Sequence, residues 1–205
     1  MTAISKTVGR GGRRGDPQRL TPAGARILET ASRLFYDQGI RAVGVEAIAE
    51  EAGVTKKTLY DCFGSKDDLI VAYLRARDAL WRSTLETYVS DHGGAPQERL
   101  LATFGALHAW LRERNPRGCA FVNAHVELPE SHPGQEVARE QKVWLLSYME
   151  VLAAEAGARR PEALAEELLI LHEGACIANS MRSVDEAAVR AQESAAVLIA
   201  HAVDR

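Results

Sequence analysis

Several side chains in this sequence could do chemistry, and each set implies a different activity. His125-x-Glu127 and the adjacent pair His172-Glu173 carry donors that bind metals. Neighbouring residues on a helix point apart, however, and neither pair has the i,i+4 spacing of an HExxH site, so no metal ligand is assigned. Cys119 with His108 or His125 would supply a nucleophile and a base. No motif brings them together or adds an oxyanion hole, so no catalytic residue is assigned, and an enzyme on a helical scaffold stays the outlying alternative. Cys119 and Cys176 could answer to oxidants, which would make a redox-responsive protein. There is no P-loop and no GxGxxG run, and no cofactor is expected. The remaining set is Thr55, Lys56, Lys57, Thr58, Tyr60 and Lys66. These hydroxyls and ammonium groups in one short run suit phosphate oxygens and base edges.

Two short helices must position that set. The first runs from about Val45 to Ala52, with Val45, Ile48, Ala49 and Ala52 on one side. Gly53 ends it, and its tolerance of positive φ lets the chain reverse sharply. Val54 can plug the angle between the helices. Thr55 stands as N-cap of the second helix, Lys56 to about Phe63. This is helix-turn-helix construction, whose second helix can enter a DNA major groove, although a plain helix-helix corner shares the pattern. An earlier helix starts at Thr21-Pro22, lines Ile27, Leu28, Ala31, Leu34 and Phe35 on one face, and stops at Gly39. After Gly64, Ser65 can cap a long fourth helix carrying Leu69, Tyr73, Ala76 and Leu80.

The run from Ile48 to Leu69 resembles the DNA-binding signature of the tetracycline-repressor (TetR) family of bacterial regulators. The resemblance rests on Ile48-Ala49, Ala52-Gly53-Val54-Thr55, Thr58-Leu59-Tyr60, Phe63, Ser65-Lys66 and Leu69. Phe35 to Gly39 is similar to the end of the family's first helix. Gly118-Cys119-Ala120-Phe121-Val122-Asn123 more weakly resembles a segment of one branch. The resemblance implies that Thr58, Tyr60 and Lys66 meet phosphate and that Lys56 and Lys57 lie within reach of bases or phosphates. Gly44 stands where the family often has a phosphate-touching Thr, and a glycine N-cap offers no side chain there. Lys57 replaces a common small residue, and Cys62 a common His or Tyr. Leu59 and Phe63 read as core.

The rest of the chain also reads as helices, separated by loop signals at 92–96, 115–118, 129–134 and 157–161. Only Cys119-Ala120-Phe121-Val122 could be a strand, and it is too short to decide. The resemblance implies an all-α protein of about nine helices, with a three-helix DNA-binding domain at 21–66 and a larger effector-binding and dimerisation domain at 67–205. Residues 1–20 read as a flexible basic arm, in which Arg10, Arg13, Arg14 and Arg19 could enter a flanking minor groove. Candidate pocket residues are Trp81, Phe104, His108, Trp110, Phe121, Asn123, His125, Trp144, Tyr148, His172 and Cys176. Several aromatics with a few polar groups suit a small, largely apolar effector. Candidate interface residues for a homodimer are Leu164, Leu168, Leu171, Ala175, Ala178, Ala188, Ala191, Ala195, Leu198 and Ala202.

Composition bounds these expectations. The chain has 205 residues, with 46% hydrophobic and 26% charged, an ordinary soluble balance that excludes collagen-like and disordered classes. No apolar stretch approaches the ~18 residues of a membrane span, so no membrane partner is expected. The N-terminus carries charge but no apolar stretch follows it, so no secretory leader is expected. Three separated cysteines without a CxxC pair fit a reducing cytoplasm. Net charge is −3, yet residues 1–66 are basic and the remainder acidic, so one end faces a polyanion. The expected activity is a bacterial transcriptional regulator. It binds palindromic operator DNA as a dimer, most simply as a repressor released by a small effector, with an activator as the alternative.

Overall fold

The computed structural model describes residues 20–114 and 117–203. Nine helices and no strand appear among the described residues: α1 (Pro22–Gln38), α2 (Val45–Glu51), α3 (Lys56–Phe63), α4 (Lys66–His92), α5 (Pro96–Glu113), α6 (Ala120–Glu127), α7 (Pro133–Glu155), α8 (Pro161–Ser180) and α9 (Ala187–Val203). The expected basic arm lies outside the described residues except for Leu20, which packs on the core. No helix among the described residues is long and apolar enough to cross a membrane.

Local chemistry sets the helix ends. Thr21 Oγ1 accepts from Gly24 N at 3.1 Å, with Pro22 at the first helical position. Thr55 accepts from Thr58 N and Ser65 from Asp68 N, at 3.1 and 3.0 Å. Each cap satisfies an N–H that its helix cannot bond internally. Gly53, at φ 64°, makes the reversal between α2 and α3, where an L side chain would be strained.

α1, α2 and α3 pack together as a head on the first turns of α4. Ile27, Ile48, Leu59 and Leu69, each fully buried, form its centre. The body is built by α7 on α8, α4 on α5, α8 on α9 and α5 on α9. α6 lies against α7.

Two sequence expectations need correction. Residues 119–122 are not a strand: Cys119 is the N-cap of α6 and the rest form its first turn. Most of the stripe assigned to a dimer face is buried inside the single chain. Leu164, Leu168, Ala175, Ala188, Ala191 and Ala195 are buried, and Leu171, Leu198 and Ala202 pack against the same core. Ala178 is half-buried. Small residues permit close helix approach within one subunit as readily as between two, and here six of the stripe are buried in the core of the single chain. On α8 and α9 the large apolar side chains left in solvent are instead Ile170, Ile177 and Val197.

Candidate DNA interface and buried cavity

α3 presents its chemistry on the head's outer side because Leu59 and Phe63 take the inner side. Lys57 is 86% exposed and reaches Asp61 Oδ2, one turn on, at 3.0 Å. Lys56 pairs with Glu46 of α2, which also sits in the first turn of that helix. That pair raises the lysine's pKa and lowers the carboxyl's. Exposed pairs of this kind contribute little, so phosphate can displace either carboxylate. Tyr60 is exposed, and Thr58 Oγ1 lies 2.9 Å from Thr55 Oγ1. Gly44 caps α2 with no side-chain bond.

Lys66 is placed differently from the other lysines. Its ammonium donates to Ile40 O at 2.8 Å and lies over the Phe35 ring, and partial burial pulls its pKa down. It staples α4 to the α1–α2 connection. An ammonium has three donors, so phosphate contact and this staple are compatible.

Head and body are joined through α6. The Tyr36 hydroxyl donates to Gly118 O at 3.0 Å and accepts from Arg117 N at 2.9 Å. The Arg117 guanidinium donates to Tyr36 O at 2.7 Å. Gly118 adopts φ 81°, and a Cβ there would meet Ser180 Cβ at 2.7 Å, so this strap requires glycine. At the other end of α6, Glu127 accepts from Arg41 N at 3.1 Å. Arg77 of α4 stacks over the Tyr36 ring, 4.3 Å from its centroid.

Behind the strap lies a cavity of about 30 Å³. Trp81, Leu107, Trp110, Phe121 and Leu145 form its apolar walls. Arg77, Cys119, Gln141, Lys142, His172, Glu173 and Cys176 supply its polar lining. Lys142 donates to Glu173 Oε1 at 2.7 Å and to Cys119 Sγ at 3.4 Å. Burial works against the Lys142 ammonium, yet Cys119 and Glu173 beside it hold its pKa above the ordinary value. Burial also works against the Glu173 carboxylate, but His172 and Lys142 outweigh it and hold that pKa at about 2. Burial lowers His172 and raises the Cys176 thiol. Both ring nitrogens of His172, and Gln141 Oε1, are buried without a hydrogen-bond partner.

The structure brings five of the expected pocket residues to this cavity: Trp81, Trp110, Phe121, His172 and Cys176. It places the others elsewhere. Phe104 is fully buried behind His172, with ring centroids 5.9 Å apart. His108 faces Glu186 near the surface. Asn123 donates to Arg117 O beside the strap. His125 bonds Gln135 in an open groove along α7 that also reaches Phe121 and Lys142. Trp144 and Tyr148 stack on each other on the outer side of α7, with Arg82 over Trp144. The lining that the sequence did not assign to the pocket is Arg77, Leu107, Cys119, Ala120, Gln141, Lys142, Leu145 and Glu173. One signal was available: His172 and Cys176 are themselves an i,i+4 pair.

Comparison with known proteins agrees with this architecture. Residues 27–73 match the family described as bacterial regulatory proteins, tetR family. The chain is 40% identical over 136 residues to the transcriptional activator FasR of Mycolicibacterium smegmatis, a match covering 63% of this chain and 59% of that one. It therefore spans less than two thirds of that relative. It is 32% identical over 141 residues to the transcriptional repressor KstR2 of the same organism, covering 66% and 67%. A solved TetR-family regulator from Streptomyces coelicolor superposes with a TM-score of 0.82 at 32% identity, over 89% of this chain and 96% of that one. The chain belongs to the tetracycline-repressor family and is a DNA-binding transcriptional regulator.

Proposed function

We propose that this regulator is a homodimeric, effector-responsive repressor acting on palindromic operators in the bacterial cytoplasm. In this reading residues 21–66 read DNA, with Gly44, Thr55, Lys56, Lys57, Thr58, Tyr60 and Lys66 at the interface. Residues 67–205 sense the effector and dimerise. One helix-turn-helix module touches few bases, so specificity calls for two, and symmetry then calls for an inverted repeat. The exposed Ile170, Ile177 and Val197 on α8 and α9 are the side chains best placed to be covered by a second copy.

The observation that carries the effector reading is the strap. Cys119 lines the cavity, and its neighbours Gly118 and Arg117 hold Tyr36 in α1. A small, largely apolar ligand entering between the tryptophans would have to move this segment, and so the head. Such a ligand releases DNA only by favouring the displaced state.

The test is selection of bound fragments from a genomic DNA pool at near-physiological salt. An enriched inverted repeat supports the reading. Salt-sensitive binding without enrichment overturns it. FasR is named an activator and KstR2 a repressor, so activation is the second reading. Deletion of the gene separates them: target transcripts rise for a repressor and fall for an activator.

A further inference from the structure

Lys142 is a half-buried cation held against one of the groups that would ligate a metal. Its ammonium touches Glu173 Oε1 and Cys119 Sγ directly. His172, Glu173 and Cys176 occupy one and a bit turns of α8, and their donor atoms lie within 4.8 Å of one another. His172 is the independent pointer. It is 3% exposed, and neither ring nitrogen has a hydrogen-bond partner; Glu173 Oε1 stands 3.6 Å from Nδ1. That distance is too long for a hydrogen bond, and an unpaired buried polar group is costly.

We propose that His172, Glu173 and Cys176 form a site for one thiophilic divalent cation of the zinc class, which enters by displacing the Lys142 ammonium and takes its fourth ligand from solvent. The donor set is one sulfur, one imidazole and one carboxylate, a mixture that suits a borderline-soft ion with an open fourth position. Lys142 has somewhere to go. Its side chain is 27% exposed and also lines the open groove beside His125 and Gln135. On binding, the Cys176 thiol releases its proton to solvent, and its thiolate and the Glu173 carboxylate balance the ion's two charges. The ion would sit in the cavity that the effector reading uses, so the two are alternative occupants of one site, whereas the DNA-binding part of the repressor reading does not bear on it.

The test is titration of the reduced, chelator-treated full-length protein with cobalt(II). The expected result is one ion per chain, a sulfur-to-cobalt charge-transfer band, and its loss on adding zinc. Cys62→Ser should leave the band intact. Cys176→Ser should remove it and lower affinity by about tenfold or more. Lys142→Met, which removes the competing cation, should tighten binding by about tenfold. The Lys142 and Cys62 variants decide the matter if a Cys176 variant fails to fold. Absence of the band at stoichiometric cobalt overturns the proposal. So does a band that survives in Cys176→Ser but disappears in Cys62→Ser, or unchanged affinity in Lys142→Met. DNA affinity is not read in this titration, so its failure stays distinct from failure of the repressor reading.

Discussion

Replacing Tyr36 by Phe removes one oxygen and tests whether the α6 strap holds the head to the body. The hydroxyl is buried, donates to Gly118 O at 3.0 Å and accepts from Arg117 N at 2.9 Å. Each such bond contributes about 0.5–1.5 kcal/mol net, and a buried partner left unpaired costs about 1–3 kcal/mol. Gly118 O loses its partner in a buried position, whereas Arg117 N lies closer to solvent and can turn to water. The expected cost is therefore about 2 kcal/mol. For a chain of this size that lowers Tm by about 4–8 °C. The assay is thermal unfolding followed by circular dichroism, with Tyr60→Phe as the matched control. Tyr60 is 37% exposed, so the same deletion there should cost under about 0.5 kcal/mol. If both variants melt within about 1 °C of the parent, the strap contributes nothing measurable and the proposed route from cavity to head loses its first link.

Three further outcomes are expected. Lys57→Ala should weaken binding to the selected operator; equal losses on random DNA, with a salt slope lower by about 1, would assign Lys57 to phosphate and not to a base. Ile170→Glu, at a side chain 72% exposed on α8, should leave the fold intact and shift the mass measured by light scattering toward one protomer at micromolar concentration. The third concerns pH. Burial holds the His172 pKa below its ordinary 6.5, in a setting of Glu173 and Cys176 on its own helix and Lys142 on α7. The unfolded chain therefore takes up a proton near pH 6.5 that the folded chain refuses. The stability of the metal-free protein is full above that pH and falls below it, by up to about 1.4 kcal/mol per unit. Glu173, held at about 2, loses its contribution only in more acidic solution. Urea denaturation of His172→Gln should show this slope removed between about pH 6.5 and 5; an unchanged slope would mean that His172 is not its source.

The helices and their ends were largely legible, because capping is local chemistry. Thr21, Thr55 and Ser65 accept the N–H groups that any helix beginning there would leave unpaired. The head was legible for the same reason: Gly53, Val54 and Thr55 specify a turn, and Leu59 and Phe63 specify which side of α3 is left for lysines. Lys66 shows where this stops. Its position in the motif was readable, but the carbonyl of Ile40, distant in sequence, captures its ammonium.

In the body, apolar spacing marked helices without saying what each stripe faces. Leu168 and Ala195 would look the same in a seam within one subunit or between two, and packing placed them within one. Aromatic type was a poor guide to the cavity for a related reason. Trp81 and Trp144 are equally large, yet the turn of α4 points one inward while the turn of α7 leaves the other stacked outside on Tyr148. The sequence alone determined the fold class, the helix-turn-helix and the lysine-bearing side of α3, since these depend on residues within a few positions of one another. Only the tertiary structure gathered Cys119 from α6, Lys142 from α7 and His172, Glu173 and Cys176 from α8 around one point. A site of that kind is made by helices crossing, and the crossing depends on the whole core at once.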